Sequence, residues 1–502
     1  MKKYIIALTV VLMAWSCNED LLDIPQQGVL SAKDYYINAD DQTATSFITA
    51  VYYKIRLSMM EETWGSHTGS TSALGLRGYL EKMGDDFCDG FLYTETAAGS
   101  TYSKIWSYHY SIIYWCNMII ENLPGNKVAS EPVKTQVIAE ARAIRAIMMM
   151  YLVQLYGTPP LADHIMTGTE GNTPAEESWA FINTELAEAA EGLPSKSGKN
   201  GQSAIGGRLT KEAVYAYLGK AYLWQKKYSE AASTLYNKVI ATDLYELNPD
   251  FRELNRYTSD FCAEYMWECD ISDNIAFATS QAGMMDAAWY NWSNIYYPDG
   301  FYTAQGWQNT CFPSESFGSF MDTHDVVGGI KTERYLGTLA TYEDMLTLYT
   351  YEETEGKKGV KPGLFCPGVR YFRLRWLPKL ENMVLATNWF QDCLHINLCY
   401  MRYAEVLLNY AEAVAMGGVP GAMSGLQALN LVRNRAGLVD APALDMNNET
   451  YGIKAERRAE LNWEGVRFID LVRWGDAPTA LKDVGKLFPN FLGYLDGNNS
   501  VV

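Results

Sequence analysis

Two adjacent acids in the segment MGDDFCDG, Asp85 and Asp86, are the best candidates for an acid–base pair in this sequence. Glycoside hydrolysis needs two carboxyl groups that face each other across the scissile bond, roughly 5–10 Å apart. The side chains of adjacent residues diverge in most backbones, so this spacing does not predict facing carboxylates. A turn or a polar contact to a ligand is the better interpretation of the pair, and calcium binding is a minor alternative.

Other patterns that carry chemistry are absent from the sequence. It contains no GxSxG elbow, no HExxH pair and no Gly-rich phosphate loop, and its five histidines are scattered. The eight cysteines that follow Cys17 include no CxxC pair, which argues against a zinc or redox site and favours buried free thiols. We therefore predict a protein that is not an enzyme and that has no cofactor and no metal.

The residues with the clearest capacity to bind a ligand are aromatic. The stretch Ala287–Trp307 is crowded with Trp and Tyr but has no helical apolar period, and the loop ETWGSHTGS carries Trp64. A pyranose ring has an apolar face that stacks on such rings, while acids and amides bind its hydroxyls. The predicted ligand-binding residues are Trp64, Asp86, Tyr93, Trp289, Trp292, Tyr296, Tyr297 and Trp307.

Long helices must form the scaffold that positions these loops. A 3.6-residue apolar period, bounded by capping residues, Gly or Pro, predicts several of them. The predicted helices are Asp41–Leu57, Thr101–Leu123, Glu131–Tyr156, Pro174–Leu193, Thr210–Gln225 and Ser229–Thr242.

The last two of these helices have the spacing of a tetratricopeptide repeat. In this pattern Gly219 and Ala231 are small where two helices cross closely, while Tyr215 and Leu235 fill the space between them. Tyr403–Tyr410 repeats the pattern, with a return helix predicted at Leu426–Arg435. One such unit cannot bury its own faces, so several must stack.

The chain from about 245 to 397 differs in character from the rest. It is rich in Gly, Pro and aromatic residues, and only Gly368–Leu377 alternates clearly enough to predict a strand. We interpret 245–397 as a loop-rich insertion within a single domain that spans 29–502. The predicted fold is mainly α: a tetratricopeptide-like helical scaffold with irregular insertions and a few short strands.

Composition limits the possible partners. The formal net charge is −18, and a surface this acidic repels phosphate backbones, so we predict no nucleic-acid partner. Neutral and cationic ligands are both compatible with this net charge.

The amino terminus indicates the compartment. Lys2 and Lys3 precede an apolar stretch that is too short to span a bilayer, and Ser16-Cys17 ends it. This order is typical of a lipoprotein signal peptide at 1–17, with Cys17 lipidated and residues 18–28 forming a flexible tether.

Charged residues between Ile453 and Trp474 recur at three- and four-residue spacings. Opposite charges at such offsets are neighbours on a helix surface. We interpret them as a structural ion-pair network that ties helices together, not as a catalytic carboxylate pair. Glu405, Glu412, Arg433 and Arg435 are expected to join it.

Several blocks of this sequence, in their order along the chain, resemble the SusD/RagB family of outer-membrane nutrient-binding lipoproteins of Bacteroidetes. They are IWSYHYSIIYWCNMIIENL, EARAIRAIMMMYLVQLYGTPPL, the 207–240 helix pair, RYAEVLLNYAEA, LNLVRNRAG and IKAERRAELNWEGVRFIDLVRW. The acids Glu19 and Asp20 after Cys17 also resemble a surface-export signal of such lipoproteins. The resemblance implies a surface-exposed protein, lipid-anchored in the outer membrane, that passes an oligosaccharide to a SusC-like TonB-dependent transporter.

Two other functions fit parts of the sequence. An α-helical glycoside hydrolase or lyase with Trp-rich loops could also be a surface lipoprotein, and a RagB-like peptide binder is a variant within the family. The tetratricopeptide pair and the RYAEVLLNYAEA block favour the family of binding proteins over the hydrolase.

Overall fold

The computed structural model describes most of the helical part of the chain and the strands that border it. The described residues are 31–60, 76–89, 100–199, 206–271, 310–341, 344, 371–373, 383–384, 393–394 and 396–482.

Helices dominate these residues. In chain order the α-helices are α1 (Ala32–Ile37), α2 (Asp41–Met60), α3 (Leu76–Lys82), α4 (Ser100–Asn122), α5 (Glu131–Tyr156), α6 (Ala175–Glu191), α7 (Lys211–Trp224), α8 (Tyr228–Lys238), α9 (Glu315–His324), α10 (Glu333–Thr338), α11 (Tyr403–Ala415), α12 (Gly425–Arg435), α13 (Ile453–Glu460), α14 (Arg467–Trp474) and α15 (Ala477–Ala480). Short 3-10 turns lie at Leu123–Gly125, Ile240–Thr242, Phe251–Asn255 and Tyr257–Ser259.

Helix α5 forms the centre of the N-terminal half. It packs against α2, α4 and α6, and every residue from Ala139 to Gln154 is buried except Arg142. A helix that is apolar on all sides must be surrounded by other elements, which explains its central place. Gly157, with a φ of +79°, ends the helix, and the predicted bounds Glu131–Tyr156 are confirmed.

Helices α7 and α8 form the predicted tetratricopeptide-like pair. A Cβ atom built on Gly219 would lie 2.4 Å from Cδ2 of Leu235, so only glycine fits at this crossing. Leu235 is fully buried and Tyr215 nearly so. The steric interpretation of the small residues is therefore confirmed.

The helices stack in sequence order into one array. Helix α7 lies between α6 and α8, α8 packs against α11, and α11 packs against α12 and α13. The return helix α12 begins at a capping box, in which the Ser424 hydroxyl accepts from the Gln427 N–H and the Gln427 side chain accepts from the Ser424 N–H. The predicted helical-repeat scaffold is confirmed.

The described strands are short and pair in twos. They are β1 (Phe87–Asp89), β2 (Tyr265–Cys269), β3 (Thr310–Pro313), β4 (Val326–Val327), β5 (Ile330–Lys331), β6 (Leu339–Thr341), β7 (Tyr371–Arg373), β8 (Met383–Val384), β9 (Cys393–Leu394) and β10 (Leu398–Arg402). The antiparallel pairs are β1–β3, β2–β10, β4–β5, β6–β7 and β8–β9. Strand β7 lies within the predicted strand Gly368–Leu377.

Cys116, Cys262, Cys269 and Cys399 are free thiols. Burial raises the pKa of Cys116 to about 12, which makes this thiol a packing group and not a reactive one. Within the described ranges, no helix is both long and apolar enough to cross a membrane.

Candidate functional site

Most of the predicted ligand-binding residues lie outside the described part of the chain, and Asp86 is the exception. Those outside are Trp64, Tyr93, Trp289, Trp292, Tyr296, Tyr297 and Trp307, together with the predicted lipidation residue Cys17. They fall in the segments 61–75, 90–99 and 272–309 and in the amino terminus. What the structure does define is the set of elements to which these segments are attached.

Asp86 lies in the bend between α3 and β1. It is 2% exposed, and Arg458 Nε donates to its carboxylate at 2.7 Å. The adjacent Asp85 accepts two hydrogen bonds from Arg467, at 2.7 and 2.9 Å, and the Ser314 hydroxyl donates to its backbone oxygen. Each acid hydrogen-bonds a different arginine, and each arginine also lies 3.7 Å from the other acid, so the four side chains form one charge cluster. Contact of Asp86 with a ligand stays a prediction.

The pairing of β1 with β3 joins two of the three aromatic segments. Asp89, which precedes 90–99, lies opposite Thr310, which follows 272–309. The Ser314 N–H just beyond β3 donates to the residue before β1 at 2.7 Å, which fixes the register on the scaffold side. One end of each segment is therefore held at the same place.

The third segment, 61–75, leads into α3 near the same elements. Arg77 in the first turn of α3 donates from Nε to the backbone oxygen of Trp463 at 2.9 Å and from Nη1 to that of Cys399 at 3.3 Å. Cys399 lies in β10, opposite Glu268 of β2. Arg77 thus ties the end of 61–75 to the sheet from which the long aromatic insertion departs.

Asn397 fixes the other end of 272–309. Its side-chain oxygen accepts from the Ile271 N–H at 2.8 Å, and its Nδ2 donates to Glu268 at 3.0 Å. Its own N–H donates to Asp260 at 2.9 Å. Residues 76–89, β2, β3 and β10 are therefore linked to one another by strand pairing and hydrogen bonds, and we call this set the loop anchor. The segments 61–75, 90–99 and 272–309 all border it.

Buried acids at the loop anchor are held in their neutral form. Burial raises the pKa of Glu81, which accepts from the Gly465 N–H, to about 8. Burial also raises the pKa of Glu268 to about 8 and that of Asp260 to about 7. A neutral carboxyl group costs less to bury than a charged one, so these acids can hydrogen-bond inside the anchor without a paired cation.

A buried network of arginines and carboxylates connects the loop anchor, through Arg402 of β10, to the C-terminal helices. Arg334 donates to Asp325 at 2.7 and 2.8 Å and to Glu456 at 2.5 Å. Arg402 donates to Glu460 at 2.9 Å and to both oxygens of Glu464. These long-range pairs connect α10 and β10 to α13.

Three of the four additional residues expected in this network join it, and Glu405 pairs instead with a lysine outside it. Arg433 donates to Glu456 at 2.9 Å, and Arg435 donates to Glu264 at 3.0 Å. Glu412 accepts from Arg473 at 2.7 Å. Glu405 forms an ion pair with Lys220 of α7 at 2.8 Å. The structural interpretation of these charges is confirmed.

The segment Ile453–Trp474 forms two helices. Helix α13 ends at Glu460, and Trp463 and Gly465 have φ of +63° and +75° before α14 begins at Arg467. Among the described pairs of this segment, only Arg473 and Asp470 are three residues apart in one helix. Most of these charges connect separate elements, in agreement with the predicted network that ties helices together.

No sequence pattern pointed directly to Arg77, Asn397, Asp325 or Arg334. Each acts on partners far away in the chain or inside the loop-rich insertion, where no periodic pattern marks it. One usable signal is the presence of Arg and Asp among the apolar residues of 317–340, since charged residues are buried only when they are paired. In the described ranges, no group of three His, Cys, Asp or Glu side chains is placed to hold a metal ion.

Two family models match this chain. One, described as "SusD family", matches residues 375–500. The other, described as "Starch-binding associating with outer membrane", matches residues 84–223. The first spans β10 and α11–α15, and the second spans β1 and α4–α7, so both include elements of the loop anchor or its support.

Relatives are similar over most of the chain at low identity. A SusD-like protein of Bacteroides ovatus is 24% identical over 406 residues, which cover 76% of this chain and 66% of that protein. A SusD-like protein of Formosa agariphila is 23% identical over 418 residues, which cover 78% of this chain and 76% of that protein. The chain thus matches about two thirds of the length of the first relative.

Solved structures share the fold. A laminarin-binding SusD-like protein superposes with a TM-score of 0.68 at 22% identity, covering 90% of this chain and 94% of that one. Surface glycan-binding protein A from Bacteroides thetaiotaomicron, in complex with laminarihexaose, superposes with a TM-score of 0.68 at 19% identity, covering 88% and 92%.

Proposed function

We propose that this chain, which belongs to the SusD/RagB family, is a non-catalytic binding protein that captures an oligosaccharide at the cell surface. In this proposal it delivers the sugar to a SusC-like TonB-dependent transporter. Lipidated Cys17 holds the mature protein in the outer membrane, and residues 18–28 form a flexible tether between the lipid and the folded domain.

The loop anchor is the observation that carries the proposal. It collects the attachment points of the three segments that contain the predicted rings, from Trp64 through Tyr93 to Trp307. Binding residues are commonly found on loops that a rigid scaffold positions. In this proposal, aromatic rings from the three segments stack on successive sugar units of one chain.

Similar proteins support the choice of ligand class. One structural neighbour is a laminarin-binding protein, and another was solved with laminarihexaose. Both ligands are neutral glucans, and a neutral ligand is compatible with the net charge of −18. The description of the family model that matches 84–223 also names starch binding and the outer membrane.

The test is direct binding by the mature domain, residues 18–502. A glycan array followed by calorimetric titration should detect binding to a neutral oligosaccharide. A protein that is folded by circular dichroism but binds no glycan, and instead binds peptides, would favour a RagB-like role.

The absence of catalysis is tested on the same preparation. Incubation with plant, host and microbial polysaccharides should release no oligosaccharides. Asp85 and Asp86 are each bonded to arginine, so neither carboxylate is arranged as a free acid or base. Reproducible product that disappears in the Asp85→Asn or Asp86→Asn variant would instead favour a hydrolase.

A further inference from the structure

A small cavity lies where the central helix α5 meets the C-terminal helices of the scaffold. Its walls include Gln154 of α5, Lys220 of α7, Asn409 of α11, Arg457 of α13 and Asp470 of α14. The space that the centre of a water molecule can occupy inside it is about 10 Å³. This is room for a single water molecule and too little for a sugar. We call this space the junction cavity.

Gln154 is an unusual polar side chain in the wall of the junction cavity. It is only 9% exposed, and neither its Oε1 nor its Nε2 has a hydrogen-bond partner among the residues that the structure describes. Buried amide groups are normally hydrogen-bonded, because folding takes away their bonds to solvent and these bonds must be replaced. Gln154 therefore contributes one unpaired acceptor and one unpaired donor to the wall.

Asn409 contributes a second unpaired donor. This side chain is 1% exposed, and its Oδ1 accepts from Arg457 Nη1 at 2.5 Å, while its Nδ2 has no partner within the described ranges. A guanidinium group can only donate, so the amide atom that faces Arg457 must be the oxygen. The orientation of the amide is thus fixed, and the unpaired atom is the nitrogen.

The cations of the junction cavity are already paired with acids. The bonds, at 2.8, 2.7 and 2.7 Å, are Lys220–Glu405, Arg457–Asp470 and Arg473–Glu412. Among the described residues, three cations therefore balance three carboxylates around this space. Because neither charge is in surplus, the cavity favours a neutral ligand over an ion.

We infer that the junction cavity is a binding site for one ordered water molecule that bridges Gln154 and Asn409. The water oxygen accepts from Asn409 Nδ2, and a water O–H donates to Gln154 Oε1. The second lone pair of the water is available to Gln154 Nε2. Two or three bonds of this kind are usual for a buried water. A halide would accept from the nitrogens and leave Oε1 unpaired, and a metal cation would leave the nitrogens unpaired.

The water joins two parts of the scaffold that are far apart in the chain. Gln154 lies in the last turn of α5, and Asn409 lies in α11, where Arg457 of α13 holds its amide. A bridging water is nearly as favourable in enthalpy as a direct hydrogen bond. The site therefore fastens α5 to the C-terminal helices, and it is independent of the ligand that the protein binds.

A crystal structure at a resolution that shows ordered water tests the site directly. One water peak should lie within hydrogen-bond distance of Asn409 Nδ2 and of the Gln154 amide. Crystals soaked in bromide should show no anomalous peak at this position. A direct hydrogen bond between Gln154 and Asn409, a bromide peak, or a cavity without density would each overturn the inference.

The sign of a stability change provides a second test. Gln154→Met keeps the length of the side chain and removes both polar atoms. With a bridging water, this change takes partners from the water, so the thermal unfolding midpoint should fall by about 2 °C or more. In a dry cavity the same change removes two unpaired polar atoms and should raise the midpoint. An unchanged or higher midpoint would therefore overturn the inference.

Gln225→Met is the matched control, because the Gln225 amide bonds directly to the Asn183 amide, at 3.0 Å in both directions. Its midpoint should fall, which gives the size of the loss for a glutamine whose partners are known. A crystal structure of Gln154→Met should lack the water peak, and a peak that persists unchanged would overturn the bridge. If Gln154→Met does not fold, the density in the parent protein decides the question.

Discussion

Arg334 holds both carboxylate oxygens of Asp325, at 2.7 and 2.8 Å, in a region where neither side chain is exposed to solvent. The same guanidinium reaches Glu456 of α13 at 2.5 Å. Asp325 follows α9 and Arg334 lies in α10, both within the loop-rich insertion. The bond of Arg334 to Glu456 connects the insertion to the C-terminal helices. The insertion is thus tied to the scaffold by charge pairs inside the protein.

Replacing Arg334 with Met should destabilise the fold strongly. The variant keeps the apolar stem but leaves buried Asp325 without its arginine and removes one of the cations that pair with Glu456 and Glu460. Breaking a buried ion pair in this way typically costs about 3–5 kcal/mol. Urea unfolding measures the change. Arg252→Met is the control, because its pair with Glu333 is about half exposed on both sides and should contribute at most about 1 kcal/mol. Equal effects of the two changes would contradict the assignment.

Gly219→Ala should destabilise the α7–α8 pair despite the better helix propensity of alanine. The added Cβ would lie 2.4 Å from Leu235, and overpacking of this kind costs about 1–3 kcal/mol, against a gain of about 1 kcal/mol from propensity. Thermal and urea unfolding measure the net loss. Gly171→Ala, where no atom lies within 4 Å, should change stability little. A more stable Gly219→Ala protein would refute the steric argument.

The neutral acids of the loop anchor should make stability fall as pH rises. Burial raises the folded-state pKa of Glu81 and Glu268 from 4.5 to about 8, so their contribution is fully present below pH 4.5 and is lost progressively as pH rises toward 8. Glu81→Gln and Glu268→Gln remove this loss while keeping an accepting oxygen. The stability of each variant relative to the parent should therefore increase across this window, as measured by urea unfolding at several pH values.

Asp85 provides a control, because its contribution to stability should change with pH in the opposite direction. Burial alone would raise its pKa, but the hydrogen bonds and charge of Arg467 lower it below 3.8. Its contribution is present above that value and is lost as pH falls, so Asp85→Asn should be destabilised most at neutral pH. The same pH trend for Asp85→Asn and Glu81→Gln would contradict these assignments.

Trp292→Ala and Trp307→Ala should weaken glycan binding with little loss of stability if these rings contact the ligand. Trp267, which is 2% exposed in β2, is the contrasting position, where truncation costs about 3–5 kcal/mol of folding free energy. Melting curves and calorimetric titration of the three variants separate the two roles. Early melting of Trp292→Ala and Trp307→Ala, with normal binding by the folded fraction, would make them core residues.

Cys17→Ala should release the protein from the membrane. Several acyl chains hold a lipoprotein through burial of their methylene groups, at about 0.8 kcal/mol each, and the variant cannot carry them. Fractionation with a high-salt wash measures the effect. Retention of the variant in the outer-membrane fraction after this wash would show that Cys17 is not the anchor.

The helices could be predicted where a local pattern determines them. The bounds of α5 are those expected, since its apolar period is unbroken and Gly157 stops it. The close crossing of α7 and α8 was predictable from their small residues for the same reason, because tetratricopeptide spacing reflects contacts between helices that are adjacent in the chain.

The loop anchor could not be predicted in this way. Arg77 reaches Cys399 and Asp89 pairs with Thr310, and contacts over such separations leave no periodic trace in the sequence. The break between α13 and α14 has no local signal in the sequence, because the left-handed backbone at Trp463 is unusual for a bulky side chain. Of the predicted ligand residues, only Asp86 lies where the structure can locate it.

The pairing of Asp89 with Thr310 closes a chain loop that contains α4 to α8. Closure over so long a separation has a large entropic cost that is recovered only when the intervening helices have packed, so we expect β1–β3 to form late in folding. Until β1 pairs with β3, the ends of 90–99 and 272–309 that border these strands are not held next to each other. Under the proposed function, the surface that carries these segments would therefore be the last part of the protein to assemble.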